Sequence, residues 1–186
     1  IFFVLALVLV LFFVLDLFLG PTHIDFATPV GMHIFMNLRL PKALTALLAG
    51  VALSISGLMM QTLFRNPLAG PSILGVSSGA TFGVSLVIML GSLLGFNASG
   101  GAVVFAAIFG AMFVLMLVLL VSFKVKSNVS LLIVGMMFGG IAGAVVNILQ
   151  SISNPDALKV YVVWTMGSLR AVTWSYMKVM APIIII

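Results

Sequence analysis

The chain has 186 residues, of which 63% are hydrophobic and only 6% charged, with a mean hydropathy of +1.41. Soluble domains hold about 45–50% apolar and about 25% charged residues, so this composition excludes a water-soluble protein and places the chain in a lipid bilayer. The eight Lys and Arg, set against three Asp and Glu, are too few and too scattered for a nucleic-acid surface. At about 20 residues per transmembrane helix, the length holds five or six spans and leaves no room for a soluble ATPase or receptor domain. The expected fold is all-α and polytopic, with about five complete spans and the start of a sixth.

The first span is Ile1–Leu19, a continuous apolar run interrupted by Asp16. Its length fits one bilayer core and exceeds the apolar region of about 7–15 residues found in a secretory signal peptide. From Gly20 to Leu40 the chain carries Pro21, His23, Asp25, Pro29, His33, Asn37 and Arg39, and it is read as lying outside the hydrocarbon. A second span covers about Pro41–Leu63, with Pro41 suited to a first helical turn. Ala43, Ala46, Gly50, Ser54, Gly57 and Gln61 fall on one face of it, a small-residue stripe of the kind that packs closely on other helices.

Arg65-Asn66-Pro67-Leu68-Ala69-Gly70-Pro71 breaks that helix. A third span, about Ser72–Leu94, carries Gly75, Gly79 and Gly83 at four-residue spacing, and a fourth is Ala102–Phe123. Lys124, Lys126, Ser127 and Asn128 mark the aqueous end of the fourth. The fifth span, about Val129–Gln150, repeats the small-residue pattern with Gly135, Gly139 and Gly143, and adds Asn147, Gln150 and Ser151 near its end. Unpaired amides are costly in lipid, so those groups should face a wet cavity or a partner helix. Ala157–Met166 is too short to span and reads as a surface or re-entrant helix. Tyr161, Trp164, Trp174 and Tyr176 are the chain's whole stock of Trp and Tyr; such rings concentrate at headgroup level. A sixth span begins near Trp174. The chain opens on Ile1 and ends in the run Ile183–Ile186, which reads as a piece of a longer protein.

Few residues offer chemistry. The chain has no Cys, so thiolate metal sites and disulfides are excluded. Three Asp, no Glu and two His are too few for most hydrolytic machinery. His23, Asp25 and His33 lack a recognised ligand spacing, so no metal site or cofactor is expected. Gly75-Val76-Ser77-Ser78-Gly79 lacks the Lys-Ser/Thr of a phosphate-binding loop. Arg39 and Lys42, three residues apart, share a helical face; they serve as interfacial anchors or as a grip on carboxylates of a docking protein.

The runs Arg39-Leu40-Pro41-Lys42, Ala49-Gly50-Val51-Ala52-Leu53, Ser56-Gly57, Met60-Gln61, Arg65-Asn66-Pro67-Leu68-Ala69 and Leu74-Gly75-Val76-Ser77-Ser78-Gly79-Ala80 closely resemble the FecCD/BtuC-like permease subunits of bacterial ABC importers for iron–siderophores, haem or cobalamin. Leu131 to Gly143, and Trp164-Thr165-Met166-Gly167-Ser168-Leu169 with Trp174, are similar to the family's fifth helix and the segment after it.

The resemblance implies a ten-helix permease fold in the bacterial inner membrane, of which residues 1–186 are the N-terminal part of a single transmembrane domain. It implies a permease rather than an enzyme. Its partners would be a second permease subunit, as homo- or heterodimer, cytoplasmic ATP-binding subunits that hydrolyse ATP, an extracytoplasmic substrate-binding protein and membrane lipid. Arg39 and Lys42 then map to the residues that dock the binding protein, with Lys42 standing where the family has a second Arg. Gly139, Gly143, Asn147 and Ser151 become candidates for the translocation path. Gly50, Ser54, Gly57, Gly75, Gly79, Gly83 and Gly135 remain helix-packing residues. A ferric siderophore is the expected cargo. A secondary carrier would place ionisable groups at the membrane midplane, which these spans nearly lack; a non-transporting helical scaffold would share the small-residue stripes.

With the N-terminus inside, Arg65, Lys124 and Lys126 are cytoplasmic, and Arg39, Lys42, Lys159 and Arg170 are outside. This distribution leans slightly against the positive-inside rule, and external cations used for docking account for the excess. Because the chain has no native Cys, single cysteines report topology cleanly. An impermeant thiol reagent should label Thr22→Cys and Asn154→Cys in intact cells and miss Ser127→Cys; labelling at 127 alone would invert the topology.

Overall fold

Each apolar run becomes a helix in the computed structural model, which describes residues 1–20, 24–95, 99–125, 127–169 and 172–185. Pro21, Thr22, His23, Lys126 and Arg170 lie outside the described residues. The first span is α1 (Phe2–Phe18), the fourth α6 (Gly100–Ser122) and the fifth α7 (Asn128–Ile152). The short segment after it is α8 (Pro155–Thr165), and the last apolar run is α9 (Trp174–Ile185). These boundaries lie within a few residues of those the hydropathy sets.

The stretch before the second span differs from expectation. Thr28 Oγ1 accepts from the Gly31 N–H at 3.2 Å and starts α2 (Pro29–Ile34), with Pro29 in its first turn. A π turn, Phe35–Arg39, then leads without a break into α3 (Leu40–Phe64). The continuous helix Pro29–Phe64 has 36 residues, about 54 Å at 1.5 Å per residue. That exceeds a hydrocarbon core of about 30 Å, so the polar end with His33, Asn37 and Arg39 extends beyond the lipid as helix rather than as loop. Pro41 consequently sits inside the helix instead of opening it. A proline ring collides with the carbonyl four residues back in an α-helix, and the wider π turn immediately before Pro41 relieves that conflict.

The third span starts at Val76 rather than Ser72, because Pro71 to Gly75 forms turns. Gly75 opens α4 (Val76–Ser85) with φ +75° in the left-handed region, where a side chain is disfavoured. The helix continues through a second π turn (Leu86–Leu90) into α5 (Gly91–Leu93). At the end of α3, Arg65 takes φ +48°, and the Asn66 N–H closes back on the Gln61 carbonyl at 3.1 Å, a helix stop of the Schellman type.

The chain forms two compact units, Ile1–Ser54 with Ser168–Ile186, and Ile55–Gly167, the boundary falling inside α3. In the first, the guanidinium Nη1 of Arg39 donates to the carbonyls of Leu17 at 3.1 Å and Phe18 at 2.8 Å. It thereby satisfies acceptors left open at the C-terminus of α1. The rings of Phe18, Phe26 and Phe35 cluster beside this cap, with centroids 5.5 to 6.1 Å apart.

In the second unit, α4 packs antiparallel to α6 and parallel to α7, and glycines make the crossings. A Cβ on Gly79 would run into the Gly110 carbonyl, one on Gly83 into that of Ala106, and one on Gly110 into that of Gly79. On the α7 side, a Cβ on Gly75 would lie 2.7 Å from the Gly135 carbonyl, and one on Gly135 2.7 Å from the Leu74 Cα. Apolar clusters close the two ends of the bundle. Phe64, Ala69, Leu74, Val118 and Leu132 form one, and Val84, Ile88, Met89, Val146, Leu149, Ala157 and Tyr161 the other.

Of the glycines expected to pack helices, Gly75, Gly79, Gly83 and Gly135 lie at these crossings, as does Gly110. By contrast, a Cβ on Gly50 or Gly57 would meet no atom within 4 Å, and Ser54 returns its hydroxyl to the Gly50 carbonyl at 2.8 Å. Open space therefore lies beside Gly50 and Gly57, whereas Ala43 at the start of that stripe is buried. Gly110→Ala should therefore cost about 1–3 kcal/mol through forced backbone shifts. Gly50→Ala should be neutral or gain up to about 1 kcal/mol from helix propensity. Thermal unfolding of the purified protein in detergent separates the two.

Candidate functional site

Helix α7 divides cleanly into two faces. Leu132, Gly135, Gly139, Ala142, Val146 and Leu149 are buried. Gly140, Ala144, Asn147 and Ser151 follow the complementary helical spacing and are exposed, with Gly143 half-buried beside them. A Cβ on Gly140 or Gly143 would meet nothing within 4 Å. The Ser151 hydroxyl donates to the Asn147 carbonyl at 2.9 Å, so it places no unsatisfied proton on this face.

Of the four expected path residues, the structure thus groups Gly143, Asn147 and Ser151 on one small, polar strip. Gly139 is placed elsewhere, in the α4 crossing, where a Cβ would lie 3.2 Å from Ser78 Oγ and 3.3 Å from the Gly75 Cα. Gly140, one residue on, takes its place on the strip. The signal that finds it is the 140, 144, 147, 151 periodicity, which four-residue glycine spacing from Gly135 conceals.

At the end of this strip lies α8, held at two points. Asn154 caps it, accepting from the Ala157 N–H at 2.9 Å, and the same amide donates to Ser92 Oγ on α5 at 2.8 Å. Tyr161 turns inward from the middle of α8, 4% exposed, and its hydroxyl is hydrogen-bonded with the side chains of Thr81 on α4 and Gln150 on α7. Burial pushes the phenol above its ordinary value, and those hydrogen bonds pull partly in the opposite direction. As an aromatic residue near an interface, Tyr161 is expected in the headgroup layer. The structure instead uses it as a core residue, and only its partners on two other helices reveal this.

The docking pair is split. Lys42 is exposed, whereas Arg39 is half-buried and caps α1. A Cβ on Gly20 would come within 2.7 Å of Arg39 Nη2, so the guanidinium also covers the turn after α1. Among the described residues no three His, Cys, Asp or Glu side chains gather at a metal-binding distance. Asp25 spends one carboxylate oxygen on the Ala27 N–H at 3.0 Å, and His23 lies outside the described residues.

Small-residue helix crossings and four helices long and apolar enough to span a bilayer among the described residues describe a polytopic helical membrane protein. The chain belongs to the FecCD transport family, whose profile matches residues 6–186, and it is a multi-pass protein of the bacterial inner membrane.

It is 36% identical over 154 residues to the hemin transport system permease protein HmuU of Yersinia pestis, covering 82% of this chain and 46% of that protein. It is 38% identical over 148 residues to the molybdate import system permease protein MolB of Haemophilus influenzae, covering 78% and 42%. Against the vitamin B12 import system permease protein BtuC of Escherichia coli the figures are 34% over 166 residues, 86% and 48%. A solved structure described as a metal-chelate type ABC transporter, in an inward-facing conformation, superposes with TM-score 0.78 at 37% identity, over 93% of this chain and 55% of the other. The chain spans about half the length of the curated relatives it matches.

Tyr161→Phe should cost about 1–2 kcal/mol, because Thr81 and Gln150 lose their shared partner. A phenol held above its ordinary value in the folded state keeps its stabilisation below pH of about 10 and loses it as the unfolded chain begins to ionise. Melting curves at pH 8 and at pH 10.5 should show a smaller alkaline loss for the variant than for the parent.

Proposed function

We propose that this chain belongs to the permease subunit of an ABC importer and that the strip Gly140, Gly143, Asn147 and Ser151 on α7 lines the route of its cargo. The family membership over residues 6–186 carries the reading. The division of α7 into a buried and an exposed face supports the position of the route. Small side chains leave width, and the Asn147 amide offers both donor and acceptor to a passing solute.

The relatives are named for hemin, molybdate and vitamin B12, ligands that share a transition metal and little else. The cargo we propose is therefore a metal complex, and a ferric siderophore is the first to test. On this reading a second permease subunit, cytoplasmic ATP-binding subunits and an extracytoplasmic binding protein complete the assembly. The binding protein would engage the exposed Lys42. Arg39 would contribute mainly by holding α1 and the turn after it.

Lys42→Glu should weaken association with the binding protein and leave membrane insertion intact, since charge reversal at a rim acts on encounter and register. Arg39→Glu should in addition destabilise the protein, because it uncaps α1. Equal and purely binding effects of the two reversals would contradict this division. For the cargo route, Asn147→Leu and Gly143→Leu should lower ATP-dependent uptake of a ferric siderophore into proteoliposomes holding the whole transporter, with melting temperature unchanged. Uptake that survives without ATP and collapses with the ion gradient would replace the reading with a secondary carrier.

A further inference from the structure

The π turn Phe35–Arg39 leaves one backbone acceptor over. Leu40 donates its N–H to the Phe35 carbonyl, five residues back. In an α-helix that donor would go to Met36. The five-residue partner of Met36 in a continuing π-helix would be the N–H of residue 41, and residue 41 is proline, which has none. The Met36 carbonyl therefore has no donor from its own helix.

Trp174 supplies one. Its indole Nε1–H donates to the Met36 carbonyl at 2.8 Å, across 138 residues of sequence. Both residues belong to the same compact unit, and Trp174 is the first residue of α9. The indole has a single donor and no acceptor, so this bond uses all of its polar capacity. The bond supplies from α9 the donor that the carbonyl's own helix cannot, and such a bond contributes a modest net stabilisation.

We propose that Trp174 is a positioning residue that locks the π register of the Phe35–Arg39 turn through the carbonyl Pro41 leaves without a donor, and so fixes where α9 begins. The turn has two registers open to it. If Leu40 returned its N–H to Met36, the extra residue of the π turn would vanish, and the helix before it would rotate relative to α3 by about 100°, one residue of a 3.6-residue turn. Arg39, the cap of α1, lies inside that turn. Register, cap and the start of α9 are therefore tied together at one place, and the indole bond favours the register seen here.

The test is a double-mutant cycle between Pro41 and Trp174 in the complete permease, assembled with its partner subunits. Benzothienylalanine at position 174 keeps the bicyclic shape and lacks the N–H; Trp174→Phe is the simpler companion. With Pro41 in place, either change should lower the melting midpoint by several degrees and uptake by about two- to tenfold, the range of one lost hydrogen bond. Pro41→Ala returns an N–H to the helix. In that background, removing the indole donor should cost little more, so the two changes are non-additive.

Additive losses would overturn the proposal, because a Trp174 that only fills space would be no more dispensable in the Pro41→Ala background than in the parent. A benzothienylalanine variant with the parent's melting midpoint would overturn it too, and this variant stands in if Trp174→Phe fails to insert. The uptake arm rests on the importer reading, whereas the melting arm does not. Coupling in the melts with no uptake in any variant would retain the lock and reject the importer.

Discussion

The backbones of Gly79 and Gly110 approach so closely that each carbonyl occupies the space a Cβ on the other would need. This contact, repeated between Gly83 and Ala106, sets how near α4 lies to α6. In lipid there is no hydrophobic force pressing helices together, and dispersion between closely apposed backbones is a principal source of association. Once α4 is fixed there, its other side presents Gly75 and Ser78 to α7, and α7 must answer with Gly135 and Gly139. The face of α7 that carries Gly140, Asn147 and Ser151 is then turned away from the crossing. The candidate route follows from the packing, since the same crossing that buries one side of α7 exposes the other.

A few polar side chains in this protein join elements. Arg39 closes the end of α1, Asn154 ties α8 to Ser92, Tyr161 reaches Thr81 and Gln150, and Trp174 fills a carbonyl on the π turn. Each of these groups gives its polar atoms a structural partner on another element. The α7 strip itself is modest in chemistry: small residues, one amide and a hydroxyl already bonded to backbone. On the function proposed above, such a surface would suit a passive route better than a site that grips its cargo.

The π turns mark where regular helix geometry gives way. The one before Pro41 lets a proline sit within a long continuous helix. The other, Leu86–Leu90, carries α4 into α5, next to the Ser92 that receives Asn154. In both cases the irregular turn lies beside a residue that joins two elements, in line with the tendency of π turns to occur at functional positions.

The sequence by itself determined the solvent, the fold class and nearly every helix, because hydrophobic run length and proline and glycine breaks are local properties. It also identified the family through Arg39 to Ala80, and the packing glycines of α4 through their four-residue spacing. Only the tertiary structure decided what those residues meet. Small residues recur at three- and four-residue steps on α3, where Gly50 and Gly57 face open space, as they do on α4, where Gly79 meets a carbonyl. Gly139 and Gly140 are neighbours in sequence, about 100° apart around α7, yet one is buried and the other exposed, a distinction set by which helix crosses there. Arg39 as a cap and Trp174 as a donor to Met36 depend on partners 21 to 138 residues away in the chain, and Tyr161 as a core residue depends on partners on two other helices. No local pattern encodes such partners, because the bond energy arises only once packing has brought the groups together and removed their water.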